Sequence, residues 1–229
     1  NDVAFICGSD EHGAAITLQA KKNKTSPKKI IDKFHNLNKK TFVEFGIDFD
    51  FFHRTSDDSH HKTAKDFFLK LNENKAFKIL TNKQYFDKQE NQFLADRYIE
   101  GICPKCGYEH AYGDQCENCG ATLSPEELIN PKSKISGNTP ELKETTHWFL
   151  DMKKHEKWLK KWINKGVIDD KKTHNSNDWK SQVISQCNSW IDTGLGKRAM
   201  TRDLDWGVKL PIQNTEGKVL YVWLDAPIG

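Results

Sequence analysis

The tract CPKCGYEHAYGDQCENCG, Cys103 to Gly120, constrains this chain more than any other stretch. Two Cys-x-x-Cys pairs, Cys103/Cys106 and Cys116/Cys119, are separated by nine residues, and Gly107 or Gly120 follows each pair. Two residues between thiolates let both sulfurs turn toward one point, and the glycine relieves crowding where backbone amides approach them. Two such hooks supply a closed tetrahedron for a structural zinc ion (Zn2+). The loop between them also carries His110, so three cysteines plus His110 is the alternative ligand set, although two complete hooks already fill the shell. Two disulfides would require an oxidising compartment, and nothing at the N-terminus reads as a secretory signal. A closed shell has no open position for substrate, so this reading makes the knuckle structural and sends the search for chemistry elsewhere.

The chain has 229 residues, enough for one large domain or two small ones, and 35 Lys and Arg against 32 Asp and Glu leave a net charge of only +3. That balance does not mark a nucleic-acid binder as a whole, and the lysine-rich stretches Lys21–Lys29 and Lys153–Lys172 read first as solvated helix faces. No apolar run reaches membrane-spanning length. The expectation is a cytoplasmic protein with Cys7 and Cys187 as buried thiols. The chain opens and closes on apolar segments with no polar lead-in, as a piece cut from a longer chain would.

Val3–Cys7 suits a strand buried on both faces; it stops at Gly8, and the polar loop GSDEHG (Gly8–Gly13) leads into a helix over Ala14–Lys22. Strand, glycine-bounded loop and helix form the unit of a doubly wound sheet, in which ligands sit outside the carboxyl ends of the strands. Asp10, Glu11 and His12 are therefore placed where a site belongs, with turn or cap chemistry as the plainer role for Asp10. Ser26-Pro27 starts a helix whose stripe Ile30, Phe34, Leu37, Thr41 and Phe45 reads as core, ended by Gly46. A strand over Ile47–Phe52 and a helix with inner face Ala64, Phe67, Phe68 and Leu71 follow. A second metal site at His53, His60 and His61 is disfavoured, because adjacent histidines rarely point at one ion.

From Phe77 the texture changes to short strands, Phe77–Leu80, Gln84–Asp87 and Phe93–Ile99, then the knuckle and a strand at Trp148–Leu150. This irregular module reads as an insertion pinned by the metal. Two helices with large aromatics follow, one carrying Trp158 and Trp162, the next Trp190, and they read as a shared core. The closing run Val219–Leu224 is a continuous apolar strand. If it lies parallel to Val3–Cys7, Asp10 and Trp223 meet at one carboxyl edge, where a carboxylate beside an indole suits a ligand with an ammonium group and an apolar tail. A simple core role for Trp223 is the alternative.

At this point the motifs GSDEHG, FLADRYIEGICPKCGYEHAYGDQCENCGATLSPEELINPKS, HWFLDM, TRDLDWGVKLP and YVWLDAPIG resemble, in this order, the methionyl-tRNA synthetases over nearly the whole chain. The resemblance implies an α/β class I synthetase Rossmann fold split by a zinc-knuckle connective insertion, with residues 1–75 and 206–229 in the Rossmann catalytic domain and 76–205 in the insertion. It implies ATP and Mg2+ in the activation of L-methionine to methionyl-adenylate, then transfer to tRNA(Met). Asp10 looks like the aspartate that holds the methionine ammonium, and Arg202 like an arginine that supports the site and interacts with that aspartate. Trp223, Ala226 and Pro227 look like the wall of the side-chain pocket, and Cys103, Cys106, Cys116 and Cys119 like the zinc ligands. HIGH-type and KMSKS-type motifs, which such catalysis needs at the ATP phosphates, are not in this stretch, so it is expected not to catalyse adenylation alone. Two further readings are a class I synthetase for another apolar amino acid and a non-catalytic zinc-ribbon binding module, which would leave GSDEHG and YVWLDAPIG without a role.

Overall fold

The computed structural model describes residues 2–228. Strands β1 (Ile6–Ser9) and β2 (Phe51–Arg54) lie parallel, in register from Ile6 opposite Phe51 to Ser9 opposite Arg54. A parallel pair requires a crossover, supplied here by helices α1 (Ala14–Lys22) and α2 (Pro27–Glu44). Ser26 caps α2 as its residue type predicts, its Oγ accepting the Lys29 N–H at 3.3 Å ahead of Pro27. Helix α3 (Asp58–Glu73) is capped by Asp57, whose carboxylate accepts the Ser59 N–H at 2.9 Å.

Both helices pack differently from the expected stripes. On α2, Ile30 and Ile31 are buried, whereas Phe34, Leu37 and Phe45 are exposed. The face that meets β2 is offset from that stripe: the rings of His35 and Phe42 lie 5.0 and 5.6 Å from Phe52. On α3, Ala64 and Phe68 are fully buried, in a cluster with Trp148, Val208 and Leu220, and Phe67 is exposed.

Beyond α3 come β3 (Phe77–Asp87), β4 (Gln92–Phe93), β5 (Ile99–Ile102), β6 (Ala111–Tyr112), β7 (Ile129–Ser133) and β8 (Glu141–Asp151). The pieces expected at Phe77–Leu80 and Gln84–Asp87 are one strand of 11 residues, paired antiparallel along its length with β8, from Phe77 opposite Leu150 to Phe86 opposite Glu141. Polar residues such as Thr81 and Asn82 stay in the ladder because the pairing, and not apolar periodicity, holds them there; Thr81 and Thr146 bond across it at 2.8 Å. Strands β5, β6 and β7 form a separate three-stranded sheet that carries the knuckle.

Helix α4 (Glu156–Lys165), the hairpin β9 (Val167–Ile168) and β10 (Lys171–Lys172), helix α5 (Ser181–Thr193) and β11 (Lys197–Ala199) complete this half, β11 pairing with the edge of β8. The two helices do not share an aromatic core. Trp162 packs edge-on to His174 and Trp179 in the connection, at 5.0 and 5.4 Å, while Trp158 and Trp190 are exposed.

The end of the chain differs most from expectation. Strand β13 (Lys218–Leu220) is three residues long and pairs antiparallel with β12 (Thr201–Asp203), not parallel with β1. Val219 and Leu220 are buried, but at Tyr221 the chain turns into the short helix α6 (Val222–Asp225), with the Leu224 N–H donating to the Tyr221 carbonyl at 2.7 Å. The apolar run is thus half strand and half helix. One core cluster surrounds the knuckle through Leu94, Tyr98, Ile99 and Leu128; another joins α3 to the last strands through Phe68, Trp148, Val208 and Leu220.

Candidate functional site

The loop after β1 is built around a buried acid. Glu11 is 3% exposed, and its carboxylate accepts from Arg54 Nε at 2.7 Å, Ser56 Oγ at 2.5 Å and Ser9 Oγ at 2.8 Å. Its N–H donates to Thr55 Oγ1 at 2.9 Å and its carbonyl accepts from Trp206 Nε1 at 2.8 Å. Every polar atom of Glu11 is therefore partnered, and the loop is locked onto β2 and onto the segment after β12. The sequence placed Glu11 at a sheet edge but carried no sign of these partners, which apart from Ser9 come from residues 43 to 195 positions away.

Asp10, beside it, is solvent-accessible and its carboxylate accepts the backbone N–H of His12, the turn role that its residue type allows. The protein around it raises its carboxyl pKa by burial; the His12 N–H opposes this and Asp225 adds to it. Asp10 lines a cavity of about 420 Å³ together with His53, His60, Thr63, Ala226 and Ile228. Ala226 thus shares a cavity with Asp10.

Trp223 and Arg202 line a second hollow, of about 200 Å³, with Asp96, Leu204 and Tyr221. Trp223 is 67% exposed, and Pro227 is exposed beyond it on the loop-side end of α6. Arg202 does not reach Asp10. Its Nη1 donates to the carbonyls of Ala199 and Thr201 at 2.7 and 2.8 Å, and its guanidinium stacks 3.9 Å from the Tyr221 ring. The carboxylate that it offsets is Asp96, whose pKa is raised by burial and lowered by Arg202. Among the described residues no ion pair joins Arg202 to Asp10; its carbonyl partners are Ala199 on β11 and Thr201 on β12.

What ties the two hollows together is the pair His12–Asp225. His12 Nδ1 lies 2.6 Å from Asp225 Oδ2, with both side chains buried. Gly13 beside this pair has φ +102, a backbone conformation that favours glycine, while a Cβ there would meet Val222 Cγ1 only at an ordinary contact distance of 3.7 Å.

A larger hollow of about 630 Å³ separates α1 from the knuckle sheet and carries Lys21, Arg97 and Lys134. Each of these three is already paired, with Glu90 at 3.1 Å, Asp114 at 2.9 Å and Glu100 at 2.6 Å, while Lys22, which also lines the hollow, is exposed and forms no ion pair among the described residues.

The four cysteines converge. Their sulfurs lie within 4.8 Å of one another, at 3.9 Å for Cys103–Cys119 and 3.6 Å for Cys106–Cys116, all as free thiols. Gly107 and Gly120 follow at φ +74 and +71, and their N–H groups turn back to the carbonyls of Cys103 and Cys116. The Tyr108 N–H, then the Asn118 amide, pull the Cys106 thiol down to about 6. The Ala121 N–H acts likewise on Cys119, but Cys106 and the other sulfurs push that thiol up to about 11. Four sulfurs that converge on one point fit a thiophilic cation. His110 lies outside the cluster, with Nδ1 3.2 Å from Glu100 Oε1.

The family model for "tRNA synthetases class I (M)" matches residues 1–229. A protein of Bacteroides fragilis named "Methionine--tRNA ligase" is 55% identical over 228 residues, covering 100% of this chain and 32% of that protein. One of the same name from Cytophaga hutchinsonii is 54% identical over the same share. The chain thus spans about a third of the length of these relatives. Among solved structures, Mycobacterium tuberculosis methionyl-tRNA synthetase bound by methionyl-adenylate is similar with a TM-score of 0.65 at 18% identity, over 99% of this chain and 38% of that one. At that identity the likeness concerns the fold. No described helix is long and apolar enough to cross a membrane.

Proposed function

We propose, from the premise that this chain belongs to the family tRNA synthetases class I (M), that it is the central part of a cytoplasmic methionine–tRNA ligase. The full-length protein would use ATP with Mg2+ to activate L-methionine and transfer it to tRNA(Met). The single observation that carries this reading is identity of 50–55% to ligases of that name across the whole stretch, the β1 loop and α6 included. Residues 1–75 and 206–229 would belong to the catalytic domain and 76–205 to the connective insertion.

Asp10 offers the negative charge for the substrate ammonium. A cation beside it relieves the burial that raises its pKa, which makes binding and ionisation mutually favourable. Ala226, in the same cavity, and Trp223 and Pro227, on the flanks of α6, would form the apolar side. Arg202 would support this wall through its stack on Tyr221. Cys103, Cys106, Cys116 and Cys119 would hold Zn2+, which shapes the insertion and takes no part in the reaction.

Methionine-dependent ATP–pyrophosphate exchange by the full-length protein tests the proposal. Methionine is expected to support exchange while leucine, isoleucine and valine do so at least 100-fold less well per unit kcat/KM. Exchange led by one of those three would replace methionine as the substrate.

A further inference from the structure

The buried pair His12–Asp225 has no part in the substrate contacts just described. It joins two segments 213 residues apart, and both carry proposed site residues: Asp10 stands two residues before His12, and Ala226 follows Asp225. Asp225 is completely buried on a helix of four residues, too short to hold its own orientation, and its Oδ1 has no hydrogen-bond partner.

The carboxylate accepts from His12 Nδ1–H, which fixes the tautomer of the ring and leaves Nε2 pointing the other way. There it meets His61 Nε2 at 3.2 Å, and two imidazole nitrogens at that distance share one proton. Burial, with the neighbouring His12, lowers the pKa of His61, and burial likewise lowers that of His60. Trp206 closes the remaining side, its ring edge-on 6.0 Å from His12 and its Nε1 bonded to the Glu11 carbonyl. The imidazole is thus held on three sides by α6, α3 and the segment after β12.

We infer that His12, clamped between Asp225 and His61, is a positioning residue that sets the spacing between the Asp10 carboxylate and the α6 wall. The inference rests on the methionine reading of that site. A buried charge-assisted hydrogen bond is the strong kind, and α6 has few other polar anchors to the β1 loop. Without the bond the wall moves relative to Asp10, and the binding of a ligand that spans both weakens, whereas groups that bind elsewhere are unaffected.

The test uses pyrophosphate exchange by the full-length protein, with thermal unfolding of each variant alongside. His12→Ala is expected to raise the methionine KM about tenfold and leave the ATP KM within about twofold. His12→Asn, whose amide can donate where Nδ1–H did, is expected to bring the methionine KM back to within about threefold of the native value. Asp225→Asn keeps the shape but loses the charge, and is expected to raise the methionine KM about threefold to fivefold; it carries the test if His12→Ala fails to fold. An unchanged methionine KM in folded His12→Ala or in Asp225→Asn overturns the inference, as does His12→Asn as impaired as His12→Ala. Absence of methionine-dependent exchange in the native full-length protein overturns the substrate reading instead.

Discussion

The knuckle sheet and the β1 loop with α6 are both small regions that hold functional residues, yet they are assembled by opposite means. All four cysteines lie within Cys103–Cys119, and their hooks close through bonds of a few residues, such as the Gly107 N–H to the Cys103 carbonyl at 3.0 Å. The loop is held by Arg54, Trp206 and Asp225, which approach from distant parts of the chain. On the proposed zinc reading, a region of the first kind depends on its metal. One of the second kind depends on buried charge and on every element that supplies it.

The largest effect that separates the two is expected at the knuckle. Metal analysis is expected to find one zinc ion per native chain, and Cys116→Ser should abolish it and remove hydrogen-exchange protection from β5, β6 and β7 while β1 and β2 keep theirs. Zinc-free protein with an unchanged melting curve would break the contrast.

Next is Glu11→Ala, which leaves the guanidinium of Arg54 short of its buried partner. It should cost about 3–5 kcal/mol by denaturant unfolding, with zinc content unchanged. A cost below about 1 kcal/mol would mean that the network behaves as a surface ion pair.

A smaller effect sharpens the comparison at a third polar cluster. Burial alone would raise the Asp203 pKa, but His147, Lys218 and Thr145 reverse it and hold the carboxyl below the usual range. Its Oδ2 lies 3.1 Å from His147 Nε2 and 2.7 Å from Thr145 Oγ1. A depressed pKa contributes stability above the unfolded value of about 3.9, and this is lost as pH falls through the folded value. Asp203→Asn is therefore expected to lower Tm by about 2–4 °C at pH 7 and to narrow the gap from native protein as pH drops below about 4. A gap that stays constant with pH would assign the loss to packing.

The same contrast explains what could be read from residue order. Cys103–Gly120, the Ser26-Pro27 helix start and the Gly166 stop, at φ +66, depend on neighbours in sequence, and each is in place. The class I fold and its family were legible because long motifs such as YVWLDAPIG are specific. Burial was not: Phe34, Leu37 and Trp190 fit helical stripes and are exposed, since a stripe marks a face without saying what covers it. Nor was the break at Tyr221, where an unbroken apolar run divides into β13 and α6. Position after a strand marked Asp10, Glu11 and His12 alike and only the resemblance singled out Asp10, while Glu11 and His12 showed their partners only when Arg54 and Asp225 arrived beside them.

The central claim is that the β1 loop, and not the knuckle, carries the substrate charge. The most direct test is the methionine KM of Asp10→Ala in pyrophosphate exchange by the full-length protein. Loss of a charged partner for the ammonium predicts a rise of at least tenfold, with the ATP KM unchanged. A methionine KM equal to the native value would contradict the account.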